Sequence, residues 1–294
     1  MARSVRKEVY VVTGGGSGIG KAIASLLPSS SLIILADRSL ERLEAVVAVL
    51  SSTHPAIKIF SCDVAKREEV RRLAEYASSL GMVKKVFHCA GVSGSMSNRE
   101  AILRINALGT VYVNQEFFRV MDGGVICDFA SNSGYILPSF LMPSERVYRT
   151  VLKDEELFLK KMYHRTSLIP LEKWNRQLAY LVSKNFARWY AQKCSFRYME
   201  EKGIRVFSIS PGFVKTPMTE AEKGFLSANI LSFSAMNRGA EPEELASLAI
   251  LLSDERCGSL LGTDVLADGG CIGNHYGLLT CFHPFRRRHV DEKW

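Results

Sequence analysis

A short β-branched and aromatic run, Glu8-Val9-Tyr10-Val11-Val12, stops at Thr13-Gly14-Gly15-Gly16-Ser17-Gly18-Ile19-Gly20, and apolar residues at helical spacing (Ala22, Ile23, Leu26, Leu27) follow at once. No other stretch narrows the choice of fold as far. A glycine turn lets backbone approach a ligand closely, and the helix that starts beyond it offers unpaired N–H groups and a positive dipole end to an anion. Strand, glycine turn and helix in this order predict a βαβ unit with a dinucleotide pyrophosphate at the helix start. The next apolar run, Leu32 to Ala36, ends at Asp37, where an acid can accept ribose hydroxyls. A carboxylate there repels the 2′-phosphate of NADP, so the expected cofactor is NAD, although Arg38 next door pulls the other way.

The same alternation runs on. Ala56 to Cys62 reads as a third strand ending at Asp63-Val64, Lys66 to Ser79 as a helix, and Val83 to Cys89 as a fourth strand running into Ala90-Gly91. Ala101 to Met121 has helical periodicity and carries Asn106 and Asn114, and Gly124 to Ala130 is a fifth strand that breaks at Ser131-Asn132-Ser133-Gly134. Ile204 to Ser210 is a sixth strand, Pro242 to Ser253 a helix, and Asp264 to Ala267 the last strand, before Asp268-Gly269-Gly270. Strands alternating with helices imply an α/β fold, a doubly wound parallel sheet with right-handed crossovers. Ligands then bind outside the carboxyl ends of the strands, where Gly14, Asp37, Asp63, Ala90 and Ser131 all fall.

At 294 residues and 47% hydrophobic content the chain can bury one large core. No linker or repeat divides it, so a single domain over residues 1–270 is expected, with a tail over 271–294. The stretch from about 140 to 176 stands outside the plan. Tyr148, Val151, Leu152, Glu155, Phe158 and Met162 recur there at three- and four-residue steps, which predicts one or two inserted helices, either packed on the core or forming a lid or partner surface. Apolar runs such as Leu32 to Ala36 are too short to span a bilayer, and the start, Met1 to Glu8, lacks the apolar centre of a signal peptide. The expectation is a soluble, cytoplasmic protein. Seven scattered cysteines with no C-x-x-C spacing suggest neither a disulfide framework nor a metal site. The net charge of +8 comes with one basic cluster, Arg286-Arg287-Arg288 between His283 and His289, while other cations alternate with acids. No nucleic-acid partner is expected.

Tyr180 and Lys184, in a helical run from about Gln177 to Tyr198, stand one turn apart on the same face. A nearby ammonium favours the phenolate and moves a tyrosine toward acid and base work near neutral pH.

Together these residues resemble the short-chain dehydrogenase/reductase family, over nearly everything from Val9 to Gly270. The resemblance rests on Thr13 to Gly20, Asp63-Val64, Cys89-Ala90-Gly91, Asn106, Ser131 followed by Gly134, Tyr180-x-x-Ser183-Lys184, Pro211-Gly212 with Thr216-Pro217, and Asp268-Gly269-Gly270. It implies a Rossmann fold and a nicotinamide cofactor. It makes Tyr180 the acid/base, gives Lys184 the tasks of lowering the Tyr180 pKa and bonding the nicotinamide ribose, has Ser131 polarise the substrate carbonyl, and has Asn106 hold a water that links Lys184 to solvent. It likewise implies that Gly14, Ser17, Gly18, Ile19 and Gly20 line the pyrophosphate, that Asp63 and Val64 meet the adenine with Ala90 and Gly91 nearby, and that Val214 and Thr216 meet the carboxamide.

Two departures stand out. The family's N-N-A-G is His88-Cys89-Ala90-Gly91 here, which makes His88 a structural residue, and the usual S-S-x-x-G becomes Ala130-Ser131-Asn132-Ser133-Gly134, which leaves Ser133 as the alternative to Ser131. The long separation of Ser131 from Tyr180 and the Arg238 to Ala246 stretch are similar to the 3α-hydroxysteroid dehydrogenase/carbonyl reductase subgroup. That likeness implies a secondary alcohol or ketone on a bulky apolar substrate, such as a steroid or bile acid. It also implies a homodimer, with the insert blocking the usual tetramer contact. An NADPH-dependent carbonyl or 3-oxoacyl reductase is the alternative enzyme, and a non-catalytic dinucleotide sensor the alternative of another class.

Overall fold

Seven parallel strands form one sheet in the computed structural model, which describes residues 7–167, 170–221, 231 and 233–274. They are β1 (Glu8–Thr13), β2 (Leu32–Asp37), β3 (Ile57–Ser61), β4 (Met82–His88), β5 (Gly124–Phe129), β6 (Ile204–Pro211) and β7 (Asp264–Ala267), in the order β3-β2-β1-β4-β5-β6-β7. The chain winds outward from β1 to β3 and then returns to β4 on the other side of β1. That reversal opens a crevice at the carboxyl edge between β1 and β4, where a doubly wound sheet takes its ligand.

The central strands β1 and β2 are nearly continuous apolar runs because both of their faces are covered. On one face Val9, Val11, Ile34, Val86, Ile126 and Val206 pack under α3 (Arg67–Leu80), α5 (Gly109–Val120) and α8 (Glu172–Lys202). On the other, Tyr10, Val12, Leu35, Phe87, Cys127 and Phe207 pack under α1 (Gly18–Leu26), α2 (Leu40–Leu50) and α10 (Pro242–Leu252). Adjacent residues of β1 thus serve opposite cores, and the register that sets Val12 between Leu35 and Phe87 builds the second one.

The helix expected over Ala101 to Met121 is broken by a change of winding. α4 (Arg99–Leu103) runs into a π-helical turn at Arg104–Leu108 before α5 begins. The Tyr180 helix is longer than expected at both ends, starting at Glu172 inside the insert. It stops where Gly203 takes φ +64°, a conformation glycine adopts without strain.

The insert contains α6 (Glu145–Tyr148), a 3₁₀ turn at Arg149–Leu152 and α7 (Glu155–Arg165). Tyr148, Val151, Phe158 and Met162 are buried in the α5–α8 core, with the Phe158 and Phe186 rings 4.8 Å apart. Leu152 leaves the stripe and is 58% exposed, because the tighter turn rotates it out of the helical period. Arg67 pins the start of α7, donating to Glu155 (2.6 Å) and to the buried Glu116 (2.8 Å) while lying over the Tyr112 ring. α9 (Pro217–Ala221) follows β6. No described helix is long and apolar enough to cross a membrane. The first tail residues turn back on the body, with Cys271 buried against Ile136; the basic cluster and the tail aromatics Tyr276, Phe282, Phe285 and Trp294 lie outside the described residues.

Candidate active site

The carboxyl edge of the sheet carries a cleft of about 260 Å³. Its floor is the turn after β1. Gly14 has φ +69°, and a Cβ there would sit 2.8 Å from the Ala90 nitrogen; a Cβ on Gly20 would sit 2.3 Å from the Gly14 oxygen. Only hydrogen fits at either place, so the turn can bring backbone N–H groups and the start of α1 up to a bound pyrophosphate. Ser17, Gly18 and Ile19 line the cleft beside them.

Asp37 lines the cleft from the end of β2. Its Oδ2 accepts from the Gly16 N–H (3.3 Å) and its Oδ1 from the Ser39 N–H (3.0 Å), which fixes the carboxylate at the rim. Arg38 and Arg42 line the same region. Arg42 escapes sequence reading because it belongs to α2, whose stripe (Leu43, Val46, Leu50) carries no motif. Asp63 and Val64 after β3, Ala90 and Gly91 after β4, and Val214 and Thr216 after β6 complete the expected cofactor wall.

Three of the four residues expected to form the catalytic set meet in this cleft: Ser131, Tyr180 and Lys184. Ser131 follows β5 as the N-cap of a 3₁₀ turn (Asn132–Tyr135), and its Oγ accepts the Ser133 N–H at 3.1 Å. Ser133 is buried and is not part of the cleft wall, so the turn presents Ser131 and not its alternative. Lys184 is buried, its ammonium donates to the Phe129 carbonyl (2.9 Å), and burial lowers its pKa to about 8. The charge of Asp128 opposes that shift. Burial in turn raises Asp128 to about 7, against two bonds from Asn114 Nδ2 (3.0 and 2.9 Å) and the charge of Lys184.

Asn106 does not line the cleft. It sits behind the wall in the π-helical turn, where its amide accepts from the Val92 N–H (2.9 Å) and donates to the Val92 carbonyl (2.9 Å) and Ser183 Oγ (3.1 Å). It still borders the site, because a Cβ on Gly91 would meet Asn106 Oδ1 at 3.3 Å and Lys184 Nζ at 3.4 Å.

His88 is buried at the end of β4, with Nδ1 2.8 Å from Thr13 Oγ1, and Thr13 Oγ1 also accepts the Ala90 N–H at 3.4 Å. The pair joins β1 to β4 beneath the cleft. Burial, and secondarily the charge of Lys184, lower the His88 pKa to about 3, so the ring is neutral. Among the described residues no cluster of His, Cys, Asp or Glu could hold a metal ion. Met96, Ile105 and Met218 add apolar wall to the cleft; Met96 escapes sequence reading because it lies in a loop without periodic signal.

Comparison with known proteins places these features in context. A family model described as short chain dehydrogenase matches residues 8–143, and one described as enoyl-(acyl carrier protein) reductase matches residues 164–271. An uncharacterized oxidoreductase of Staphylococcus aureus (strain USA300) is 30% identical over 73% of this chain and 81% of its own. The short-chain dehydrogenase/reductase bsc3 of Alternaria brassicicola is 28% identical over 90% of this chain and 96% of its own. Among solved structures, a short-chain type dehydrogenase/reductase from Mycobacterium ulcerans superimposes with a TM-score of 0.71 at 24% identity, covering 92% of this chain and 91% of the other.

Proposed function

The chain belongs to the short-chain dehydrogenase/reductase family, and on that premise we propose that it is an NAD-dependent enzyme interconverting a secondary alcohol and a ketone on a bulky apolar substrate, such as a 3-hydroxysteroid or bile acid. The observation that carries the reading is the meeting of Ser131, Tyr180 and Lys184 in the cleft floored by the glycine turn. Bound NAD supplies the hydride acceptor. The protein supplies the proton path and the charge. Tyr180 Oη takes the alcohol proton in oxidation and returns it in reduction, the Ser131 hydroxyl donates to the substrate oxygen as negative charge builds there, and the Lys184 ammonium stabilises the phenolate. Asn106 steadies the segment at Gly91 and holds the solvent link to Lys184.

An apolar substrate is supported by the lining. On the β4–β6 side Lys184 is the one charged residue among the described lining, with Val92, Met96, Ile105, Pro217 and Met218 as the apolar surface. The charged residues Asp37, Arg38, Arg42 and Asp63 gather on the β2–β3 side. NAD is supported by the anchored Asp37 carboxylate, which repels a 2′-phosphate. Arg38 and Arg42 beside it favour the second reading, an NADPH-dependent carbonyl or 3-oxoacyl reductase. A cytoplasmic setting fits Cys62, Cys89, Cys127, Cys194 and Cys257, none of which forms a disulfide. Assembly as a homodimer fits an insert whose Tyr148 and Phe158 rings already pack against α8 at Phe186.

The test is a panel of secondary alcohols, with 3α-hydroxysteroids, bile acids and small polyols, each assayed by NADH or NADPH absorbance with NAD and NADP in turn. NADH formation with an apolar alcohol is expected. Turnover with NADP alone overturns the Asp37 argument, and turnover of polyols alone overturns the apolar substrate.

A further inference from the structure

The insert is bonded into the active site as well as packed against it. Tyr148, the last residue of α6, is 3% exposed, its ring edge-on to Phe186 (5.2 Å between centroids) and 5.3 Å from Trp189. Its hydroxyl donates to Asn185 Oδ1 (2.9 Å), and Asn185 Nδ2 donates to the Gly134 carbonyl (2.8 Å). Asn185 follows Lys184 directly. Gly134 belongs to the turn that Ser131 opens, and its N–H returns to the Ser131 carbonyl at 3.0 Å.

Turn and helix touch at this crossing, since a Cβ on Gly134 would lie 2.9 Å from the Asn185 nitrogen and 3.0 Å from the Lys184 carbonyl carbon. The placing of Ser131 relative to Lys184 is therefore decided here. The Gly134 carbonyl can only accept, so it takes Nδ2, and the Tyr148 hydroxyl donates to the Oδ1 that remains. With both ends of the amide held, the side chain keeps one orientation. Arg188 is a second donor to the Gly134 carbonyl (Nη1, 3.2 Å), with its guanidinium over the Tyr135 ring and beside Asp264, and it lies on α8 itself.

We propose that Tyr148 is a positioning residue: through Asn185 it fixes the Ser131 turn against the Lys184 segment, so that docking of the insert sets the geometry of the site. This rests on the reading of Ser131, Tyr180 and Lys184 as the catalytic residues. The insert then serves the reaction without forming any part of the described cleft wall.

The test compares Tyr148→Phe, Asn185→Ala and the double variant. Tyr148→Phe keeps the ring and removes only the hydroxyl. Kinetics use the alcohol best turned over in the panel above, NADH affinity is read by fluorescence, and amide hydrogen exchange of residues 131–136 needs no substrate. Tyr148→Phe is expected to lower kcat about fivefold, the order of one hydrogen bond, with the alcohol KM and NADH Kd unchanged. Exchange at Ser133 and Gly134 should quicken while α7 amides keep their protection, and the double variant should be no slower than Asn185→Ala, because the two bonds act in series. Unchanged kcat and exchange in Tyr148→Phe, fully additive losses, or a loss accompanied by loosening of α7 would each overturn the proposal. Tyr180→Phe separates the two levels: if it keeps wild-type turnover, the catalytic reading fails, whereas an inactive Tyr180→Phe beside an unaffected Tyr148→Phe sinks the positioning role alone.

Discussion

His88 lets the burial beneath the cleft be tested by titration. Its pKa falls from 6.5 to about 3 on folding, through burial first and the Lys184 charge second. A proton that the unfolded chain takes up near pH 6.5 is thus refused by the native chain, so the contribution of His88 is complete above that pH and is lost as the pH falls toward 3. Integrated from pH 7 to pH 5, the loss is about 2 kcal/mol, rising to about 4 to 5 kcal/mol by pH 3. Asp128 acts with the opposite sign. Its pKa rises from 3.8 to about 7, so the native chain binds the proton more tightly and gains about 2 kcal/mol between pH 7 and pH 5. The two nearly cancel in the wild type. His88→Asn keeps a polar side chain opposite Thr13 and leaves the Asp128 gain uncompensated. Urea unfolding followed by far-UV circular dichroism at pH 7 and pH 5 should therefore show the variant gaining about 2 kcal/mol relative to wild type on acidification. Parallel pH dependence in the two proteins would refute a neutral, buried His88.

Ser131→Ala is expected to lower kcat by about a hundredfold or more, as loss of a donor to a developing oxyanion does, whereas Ser133→Ala should stay within about threefold; steady-state rates on one alcohol decide between them. Phe158 is fully buried, with its ring 4.8 Å from Phe186, so Phe158→Ala should lower unfolding free energy by about 3 to 5 kcal/mol in denaturant titration.

The centre of the sheet could be read from sequence because a parallel strand covered on both faces shows as an apolar run, as Val9 to Val12 and Leu32 to Ala36 do. β1, β2, β5 and β6 are bounded by glycine, aspartate or serine at the ends that build the cleft. Local patterning also located the insert, whose Phe158 and Met162 keep helical spacing. It could not foresee the π-helical turn at Arg104–Leu108, since a single turn of changed winding is too short to be told from α-helix by apolar spacing. That turn is what sets Asn106 behind the wall and not on it. Other features depend on pairs far apart in the chain: Thr13 with His88 across two strands, and Tyr148 with Asn185 and Gly134 across three segments. No local spacing encodes such pairs; they arise only when the sheet and the insert have closed. Arg42 went unnoticed for a related reason, because it enters the cleft only once α2 is packed beside Asp37.

The central claim is that Tyr180 moves the substrate proton. Tyr180→Phe retains the ring and removes the hydroxyl, so turnover of the best alcohol should fall by about a thousandfold while NADH still binds with wild-type affinity by fluorescence titration. Turnover close to wild type in Tyr180→Phe, with NADH bound equally well, would contradict the account.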